Sequence, residues 1–254
     1  MIAQMNVIIF DIWGNYAHFR KNISTSSPLT HSFPPRTALA GLIGAIAGIE
    51  KDEYQQFTLK VAKIGCRILR PVKKTRVSSN WINTDNIRTM NLIKERLPTR
   101  REYLKDPKFR VYFSHEDEKL VKEFKNLINE HQSIYTPCLG LSEMICNFSY
   151  VGEFELKRIP ETEFEMVDSV IPMSCLIDRE IEDEKEYFTE TMPVEMGVDR
   201  EVTGIDEVLF ERNAKPIRAK AKCIWEIGNG EREHIIFLTA SSTKTRIEAA
   251  EITS

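Results

Sequence analysis

The sequence of 254 residues predicts an α+β fold with two regions. Three observations support this prediction. Residues 1–155 contain β-type runs that alternate with two helical patterns, in the order strand, helix, strand, strand, helix, strand. Residues 71–100, mostly basic and polar, interrupt this region without a regular period. Residues 156–254 contain short β-type runs and the hairpin signal Gly228-Asn229-Gly230, so a β-rich region is expected to pack on the first.

The elements of the first region follow from apolar periodicity and from local start and stop signals. Pro34-Pro35 predicts the entry to the first helix, and Ser114, with Asp117 three residues later, predicts the start of the second. This order is typical of the ferredoxin-like, or RRM-like, βαββαβ fold, with the insertion as a projecting hairpin. The predicted strands are residues 7–12, 61–69, 102–113 and 144–154.

The first helix is rich in glycine. Gly41, Gly44 and Gly48 lie on one face at helical spacing, and each glycine costs about 1 kcal/mol relative to alanine. We therefore expect this face to pack closely against the sheet. The apolar run ends at Glu50 and is too short to span a membrane, and no Gly-Lys-Ser/Thr follows to form a phosphate loop.

The charges are distributed unevenly along the chain. Residues 60–110 contain 15 Lys and Arg against 4 Asp and Glu, whereas residues 153–211 contain 5 against 19. A basic segment on a chain with a net charge of −3 predicts one surface that faces nucleic acid. The alternative is that both segments are ordinary solvated faces.

Three common classes of metal-binding and catalytic motif are absent from the sequence. The five cysteines form no Cys-x-x-Cys pair, the five histidines form no metal-binding motif, and no Gly-x-Ser-x-Gly sequence occurs. We expect no metal and no cofactor. No signal-peptide pattern follows Met1, and scattered cysteines suggest reduced thiols, so a cytoplasmic protein without a membrane partner is expected.

Cations and aromatic residues occur together in the loop after the first strand, at the start of the first helix and in the insertion. Cations neutralise phosphates and aromatic rings stack on bases. Arg36, in the first helical turn, is expected to bind phosphate. The candidate RNA-binding residues are Tyr16, His18, Arg20, Lys21, Arg36, Lys73, Lys74, Arg76, Trp81, Arg88, Arg100 and Arg101.

Two function classes follow from these candidates. The first is a non-catalytic RNA-binding scaffold. The second is a metal-independent endoribonuclease that uses Tyr16, His18 and Lys21 for acid–base chemistry and charge stabilisation. A general RRM-like adaptor is a third interpretation, but the sequence lacks the aromatic strands typical of that class.

Three segments resemble CRISPR-associated protein 5, a RAMP-superfamily subunit of type I Cascade complexes. They are Phe10-Asp11-Ile12-Trp13-Gly14, the run Phe33-Pro34-Pro35-Arg36-Thr37-Ala38-Leu39-Ala40-Gly41-Leu42-Ile43-Gly44-Ala45-Ile46, and the run from Arg101 to Val111. The likeness continues more weakly through Met192-Pro193-Val194-Glu195-Met196 and Arg200, and it is closest to the type I-B form.

This resemblance implies a ferredoxin-like domain with a thumb hairpin at about residues 71–100. It implies a scaffold that caps the 5′ handle of the CRISPR RNA in antiviral defence. The implied neighbours are CRISPR-associated protein 7 backbone subunits and the large subunit, with target DNA contacted indirectly. In type I-C complexes the family member cleaves precursor RNA with a Tyr/Lys/His set, which Tyr16, His18 and Lys21 do not match residue by residue.

Overall fold

The computed structural model describes residues 5–22, 27–82, 96–197, 199–228 and 232–240. The fold is α+β, with a curled six-stranded sheet, three sheets of three strands and few helices among the described residues. The predicted α+β class is confirmed. The helices are α1 (Arg36–Ala47) and α2 (Glu118–Asn129), with a short 3-10 segment at Lys51–Phe57.

The strands range in length from two to twelve residues. They are β1 (Met5–Trp13), β2 (Tyr16–Ala17), β3 (Ala62–Ile68), β4 (Lys74–Ile82), β5 (Arg96–Lys105), β6 (Lys108–His115), β7 (Asn147–Arg158), β8 (Glu165–Val167), β9 (Ile171–Pro172), β10 (Leu176–Arg179), β11 (Tyr187–Met196), β12 (Val202–Glu211), β13 (Ile217–Ala221), β14 (Trp225–Gly228) and β15 (Arg232–Ile235).

The large sheet has the antiparallel order β15–β14–β7–β1–β6–β3. The middle strand β1 is buried on both faces, which explains its almost continuous apolar sequence. Ile8 and Phe10 belong to the main core, which includes Phe124 of α2, while Val7 and Ile9 belong to a second apolar cluster. The sheet curls so far that the Leu238 amide, beyond β15, donates to the carbonyl of Ile64 on β3 (2.9 Å).

Both halves of the chain contribute to this sheet. Strands β14 and β15 come from the C-terminal half and extend it beyond β7. Residue 155, where the sequence suggested a boundary, lies inside β7. The antiparallel pairing of β14 with β15 confirms the predicted hairpin, although its turn lies outside the described residues.

The glycines of α1 do not pack as expected. Gly48 has a φ of +78° and ends the helix in the left-handed conformation, and the cap donates to the Gly44 carbonyl. A Cβ added at Gly41 would meet no atom within 4 Å. Larger residues such as Leu39 and Ile43 form the buried side of α1. The prediction is wrong for Gly41, which borders open space. A Cβ at Gly48 would lie 2.9 Å from Ile134, so Gly48 does pack closely, but against a loop and not against the sheet.

The N-cap of the second helix lies three residues after Ser114, the predicted cap. Asp117 is its N-cap, and the Asp117 carboxylate accepts hydrogen bonds from the amides of Lys119 and Leu120. Ser114 remains in β6, where its neighbour Phe113 pairs with Ile64 of β3. Sheet pairing therefore extends β6 through the predicted cap.

The predicted insertion contains a hairpin. Strands β4 and β5 pair antiparallel from Lys74↔Leu104 to Ile82↔Arg96, and β2 adds to the β5 edge. At the base of the hairpin the Val72 amide donates to the Arg212 carbonyl (2.8 Å), which links it to the C-terminal half. We call β4 and β5 the thumb hairpin.

The C-terminal half also reaches across α1. Strands β11 and β12 form a long hairpin, and their residues Met192, Val208 and Phe210 join the main core. Phe210 packs edge-on against Phe33, just before α1 (5.3 Å between ring centroids). This contact places the open end of the β11–β12 hairpin beside the start of α1.

None of the helices among the described residues is long and apolar enough to cross a membrane.

Candidate nucleic-acid interface

A cavity of about 700 Å³ lies where the thumb hairpin, the start of α1 and the β11–β12 hairpin meet. Three arginines line it from three parts of the chain: Arg20 after β2, Arg101 on β5, and Arg200 in the turn between β11 and β12. No Asp or Glu is found among the described residues that line the cavity. The start of α1 also lines it, and that helix has no acidic residue in its first turn. We call this space the basic cavity, and its chemistry suits an anion.

His18 lies in the wall of the basic cavity and is almost completely buried. Its Nδ1 is 2.7 Å from the Glu102 carbonyl, and because a carbonyl only accepts, Nδ1 carries the proton. Burial lowers the pKa of His18, and the charges of Arg101 and Arg20 lower it further, against the effect of the Glu102 carbonyl. The imidazole is therefore neutral near pH 7, with Nε2 as its acceptor.

Gly140 fixes the backbone around His18. Its φ is +96°, and a Cβ at this position would lie 2.0 Å from the His18 carbonyl oxygen. The His18 amide donates to the carbonyl of Leu139 (3.0 Å). Only glycine allows this close approach, so the Leu139–Gly140 turn holds the wall of the basic cavity.

The other two members of the proposed catalytic set have different surroundings. Tyr16 is exposed on β2, and its ring and the His18 ring both contact Tyr103 (centroid distances 6.2 and 5.7 Å). Lys21 pairs with Glu190 at 3.3 Å. Tyr16 and His18 are therefore joined through Tyr103, whereas Lys21 is held by a carboxylate of β11.

Glu190 is the centre of a partly buried ionic cluster. Its carboxylate accepts hydrogen bonds from the Ser32 hydroxyl (2.5 Å) and amide (3.1 Å), and His31 Nδ1 lies at 3.2 Å. Lys74 lies 3.4 Å from Glu190, and its Nζ also donates to the Thr30 carbonyl (2.9 Å). We call this group the Glu190 cluster. It uses Lys74, a predicted RNA ligand, to join the thumb hairpin to β11.

The thumb hairpin and Lys73, which immediately precedes it, present exposed cations. Lys73, Arg76 and Arg100 are exposed, although Arg76 also lies 3.6 Å from Glu102. The Arg101 guanidinium stacks over the half-exposed ring of Trp81 (4.8 Å). The structure thus brings Arg101 and Trp81 together. A cation that can contact a phosphate and a ring that can stack on a base therefore lie side by side. The predicted RNA ligand Arg88 lies outside the described residues.

The structure corrects the prediction for Arg36. Its side chain is completely buried, and its guanidinium donates to the carbonyls of Val194 (3.0 Å) and Ala62 (2.7 Å). Arg36 therefore joins β11 to the start of β3 inside the core and presents no surface to phosphate. The neighbouring Thr37 lines the basic cavity instead.

Sequence reasoning missed Arg200 and Gly140 as site residues. Arg200 was noted only as part of the family resemblance and not as an RNA ligand, because it belongs to the acidic half. In the structure it has a φ of +61°, which is uncommon for a residue with a side chain and is often found at functional positions. No group of three or more His, Cys, Asp or Glu that could hold a metal was found in the part of the chain that the structure describes.

Comparisons with known proteins agree with this architecture. The family model described as "CRISPR-associated protein (Cas_Cas5)" matches residues 7–174. No curated protein matches the sequence. A chain of a solved "CRISPR RNA-guided surveillance complex" is similar in fold, with a TM-score of 0.51 and 13% identity over 83% of this chain and 91% of that chain. A CRISPR protein from Archaeoglobus fulgidus gives a TM-score of 0.48 and 15% identity, over 91% and 99% of the two chains.

Proposed function

The chain belongs to the CRISPR-associated protein 5 family, and from this membership we propose that it is an RNA-binding subunit of a CRISPR effector complex. In this role it holds the 5′ handle of the CRISPR RNA without cleaving it. The observation that carries the proposal is the basic cavity, where Arg20, Arg101 and Arg200 meet.

The geometry of the cavity suits a single RNA strand. A single strand is bound by cations that follow its phosphates and by aromatic rings that stack on its bases. Arg101 supplies a cation that is already stacked on Trp81, and Tyr16 offers an exposed ring on the same side of the thumb hairpin base. His18, which is neutral, adds a hydrogen-bonding group to the cavity wall without adding a charge.

We further propose that strands β1, β3, β6 and β7 with the two helices form a ferredoxin-like unit. The antiparallel order β7–β1–β6–β3, with one helix after β1 and one after β6, supports this proposal. The thumb hairpin then extends from the connection between β3 and β6.

Neighbouring subunits are proposed to cover the thumb hairpin. Val77, Trp81 and Leu97 are exposed on it, and clustered exposed apolar side chains mark interaction surfaces. We propose CRISPR-associated protein 7 backbone subunits and the large subunit as partners in a cytoplasmic complex of the type I-B form. Target DNA would be contacted through that complex.

Salt-dependent binding tests the RNA-binding proposal. The full chain is titrated into labelled single-stranded repeat RNA at several salt concentrations, with Arg20→Glu and Arg200→Glu compared with Lys119→Glu. Lys119 is a control on α2 with an 84% exposed side chain. Each cavity variant should bind at least about tenfold more weakly and lower the salt slope by about one. Equal affinities and slopes for all four proteins would refute the proposal.

A second candidate is a metal-independent endoribonuclease, which the state of His18 favours. Its Nδ1 proton is fixed by the Glu102 carbonyl, which leaves Nε2 to accept the proton of a ribose 2′-hydroxyl. The resulting oxyanion would attack the adjacent phosphorus, and the 5′ oxygen would leave with a proton from water. Arg20 and Arg101 could stabilise the negative charge on the phosphorus oxygens.

Incubation with labelled repeat RNA and a metal chelator separates the two candidates. Site-specific cleavage that His18→Ala abolishes, with RNA binding retained, would establish the enzyme. Intact RNA together with a gel shift would support the scaffold.

A further inference from the structure

Four cations meet where the thumb hairpin leaves the large sheet, at the point where β3 and β6 continue into β4 and β5. Hydrogen bonds join the two chain segments there. The Leu69 amide donates to the Lys108 carbonyl (2.9 Å), and the Lys105 amide donates to the Lys73 carbonyl (2.8 Å). Arg70 lies between Leu69 and Lys73 in the chain. We call Arg70, Lys73, Lys105 and Lys108 the thumb-base cations.

Three of the thumb-base cations have no carboxylate partner in the structure. None of the ion pairs found among the described residues includes Arg70, Lys73 or Lys105, and all three residues are exposed. Lys108 lies 3.3 Å from Asp11, but that carboxylate also accepts a hydrogen bond from an arginine of β6 (2.8 Å). The positive charge of this surface is therefore largely uncompensated.

The neighbouring acidic residues change this balance little. Asp106 is exposed in the turn between β5 and β6. Glu186 is held by Arg212 (3.1 Å), whose backbone carbonyl is bonded to the base of the thumb hairpin. Lys73 lies opposite Lys105, and like charges that face each other on neighbouring strands destabilise a sheet. A bound anion would remove this repulsion.

The thumb-base cations lie apart from the basic cavity but close to it. None of them is found among the described residues that line the cavity. Arg101 of the cavity precedes Lys105 by four residues on β5, which corresponds to about 13 Å along the strand. Tyr16 pairs with Lys105, and His18 lies in the cavity wall. The chain from Tyr16 to His18 therefore links the two surfaces.

We propose that the thumb-base cations bind the phosphate backbone of a double-stranded nucleic acid. The inference does not depend on what the basic cavity holds. A duplex carries about one negative charge per 1.7 Å of its axis, which is dense enough to meet several cations on paired chain segments about 5 Å apart. Contacts between such cations and phosphates position a duplex without reading its sequence.

The rings near these cations favour a duplex over a single strand. A single strand is held by aromatic rings that stack on its bases. The Trp13 ring is only partly exposed, and the Lys108 ammonium lies over it, 5.6 Å from the ring centroid, so this ring is not free for a base. Tyr16 is exposed, but it contacts Tyr103, which also contacts His18, and so it belongs to the side of the basic cavity.

Binding of the full chain to three labelled probes tests the inference. The probes are a blunt DNA duplex, a blunt RNA duplex and single-stranded repeat RNA, each titrated at several salt concentrations. The variant combines Arg70→Glu with Lys105→Glu, and Lys73 is left unchanged because it is also a candidate RNA ligand. The control combines Lys119→Glu with Lys122→Glu, which changes the net charge equally on the exposed face of α2.

The variant should bind the preferred duplex at least about tenfold more weakly than the unchanged protein does and should lower the salt slope by about two. Its affinity for single-stranded RNA should change by no more than about twofold, which also shows that the variant is folded. The control should bind all three probes within about twofold of the unchanged protein. The duplex that binds more tightly identifies the ligand as DNA or RNA.

Three other outcomes overturn the inference. Equal losses for single-stranded RNA and for the duplexes would show that the thumb-base cations extend the RNA path of the basic cavity. Equal losses by the variant and the control would show a general effect of net charge. If the unchanged protein binds neither duplex, the inference fails, while single-stranded RNA binding that Arg20→Glu weakens would leave the proposed function standing.

Discussion

Glu190 offers a direct test of how the two halves of the chain are held together. In the Glu190 cluster, one carboxylate of β11 binds Ser32, His31, Lys21 and Lys74, which lie in the loop before α1 and in the thumb hairpin. Replacement by alanine leaves buried donors on His31 and Ser32 without an acceptor. Breaking a buried ion pair costs about 3–5 kcal/mol, and partial exposure of the lysines places the expected loss of unfolding free energy near about 3 kcal/mol.

The same cluster predicts a pH dependence. Burial raises the pKa of Glu190, but hydrogen bonds from His31 and Ser32 and the charges of Lys74 and Lys21 outweigh burial and hold the pKa well below its ordinary value. A carboxylate with a lowered pKa contributes stability above its unfolded value of about 4.3, and this contribution is lost as the pH falls below that value. The free energy of unfolding of the unchanged protein should therefore fall on acidification. Glu190→Gln lacks this contribution already at pH 7, so its unfolding free energy should fall less.

Urea denaturation at neutral pH and near pH 3, well below the unfolded pKa of a glutamate, measures both effects. Glu123→Gln is the control, because Glu123 lies on the exposed face of α2 and pairs weakly with Lys119 (4.0 Å). The control should change the unfolding free energy by no more than about 0.5 kcal/mol. Should Glu190→Ala and Glu123→Gln have equal stability at pH 7, the Glu190 cluster would not hold the halves together.

Two further predictions concern single positions, and a third concerns a pair of cations. Gly140→Ala should cost at least about 2 kcal/mol in urea denaturation and weaken RNA binding, because the methyl group meets the His18 carbonyl; unchanged stability would contradict the close approach. Asp117→Ala should cost about 1 kcal/mol by the same method, through loss of the α2 cap, and an unaltered midpoint would assign capping elsewhere. Simultaneous reversal of Lys73 and Arg76 to glutamate should weaken RNA binding and lower the salt slope by about two, and an identical slope would remove the thumb hairpin from the interface.

The sequence predicted the elements that depend on local pattern. The apolar run of β1, the helical spacing in α2 and the hairpin in the insertion were all visible, because each is encoded by neighbouring residues. The cap of α2 was predicted at Ser114, but it is Asp117. Pairing with β3 extends β6 through Ser114, so the helix begins later. Pairing between strands distant in sequence has no local signal.

The candidate site was predicted less completely, since its partners are distant in sequence. Arg36 was expected at the surface, but the carbonyl of Val194, from the other half of the chain, draws its guanidinium into the core. Arg200 belongs to an acidic segment, and it lines the basic cavity only because the β11–β12 hairpin lies beside α1. Gly41 was expected to pack closely, and the structure shows open space there.

Cross-linking of RNA to the full chain would test the central claim most directly. Single-stranded repeat RNA that carries photoreactive uridines is cross-linked to the protein, and the modified peptides are identified by mass spectrometry. RNA in the basic cavity should modify peptides that contain Tyr16 to Arg20, Leu139 to Leu141, and Pro193 to Val202. Cross-links confined to α2 and to strands β8, β10 and β13, with none in those peptides, would contradict the account.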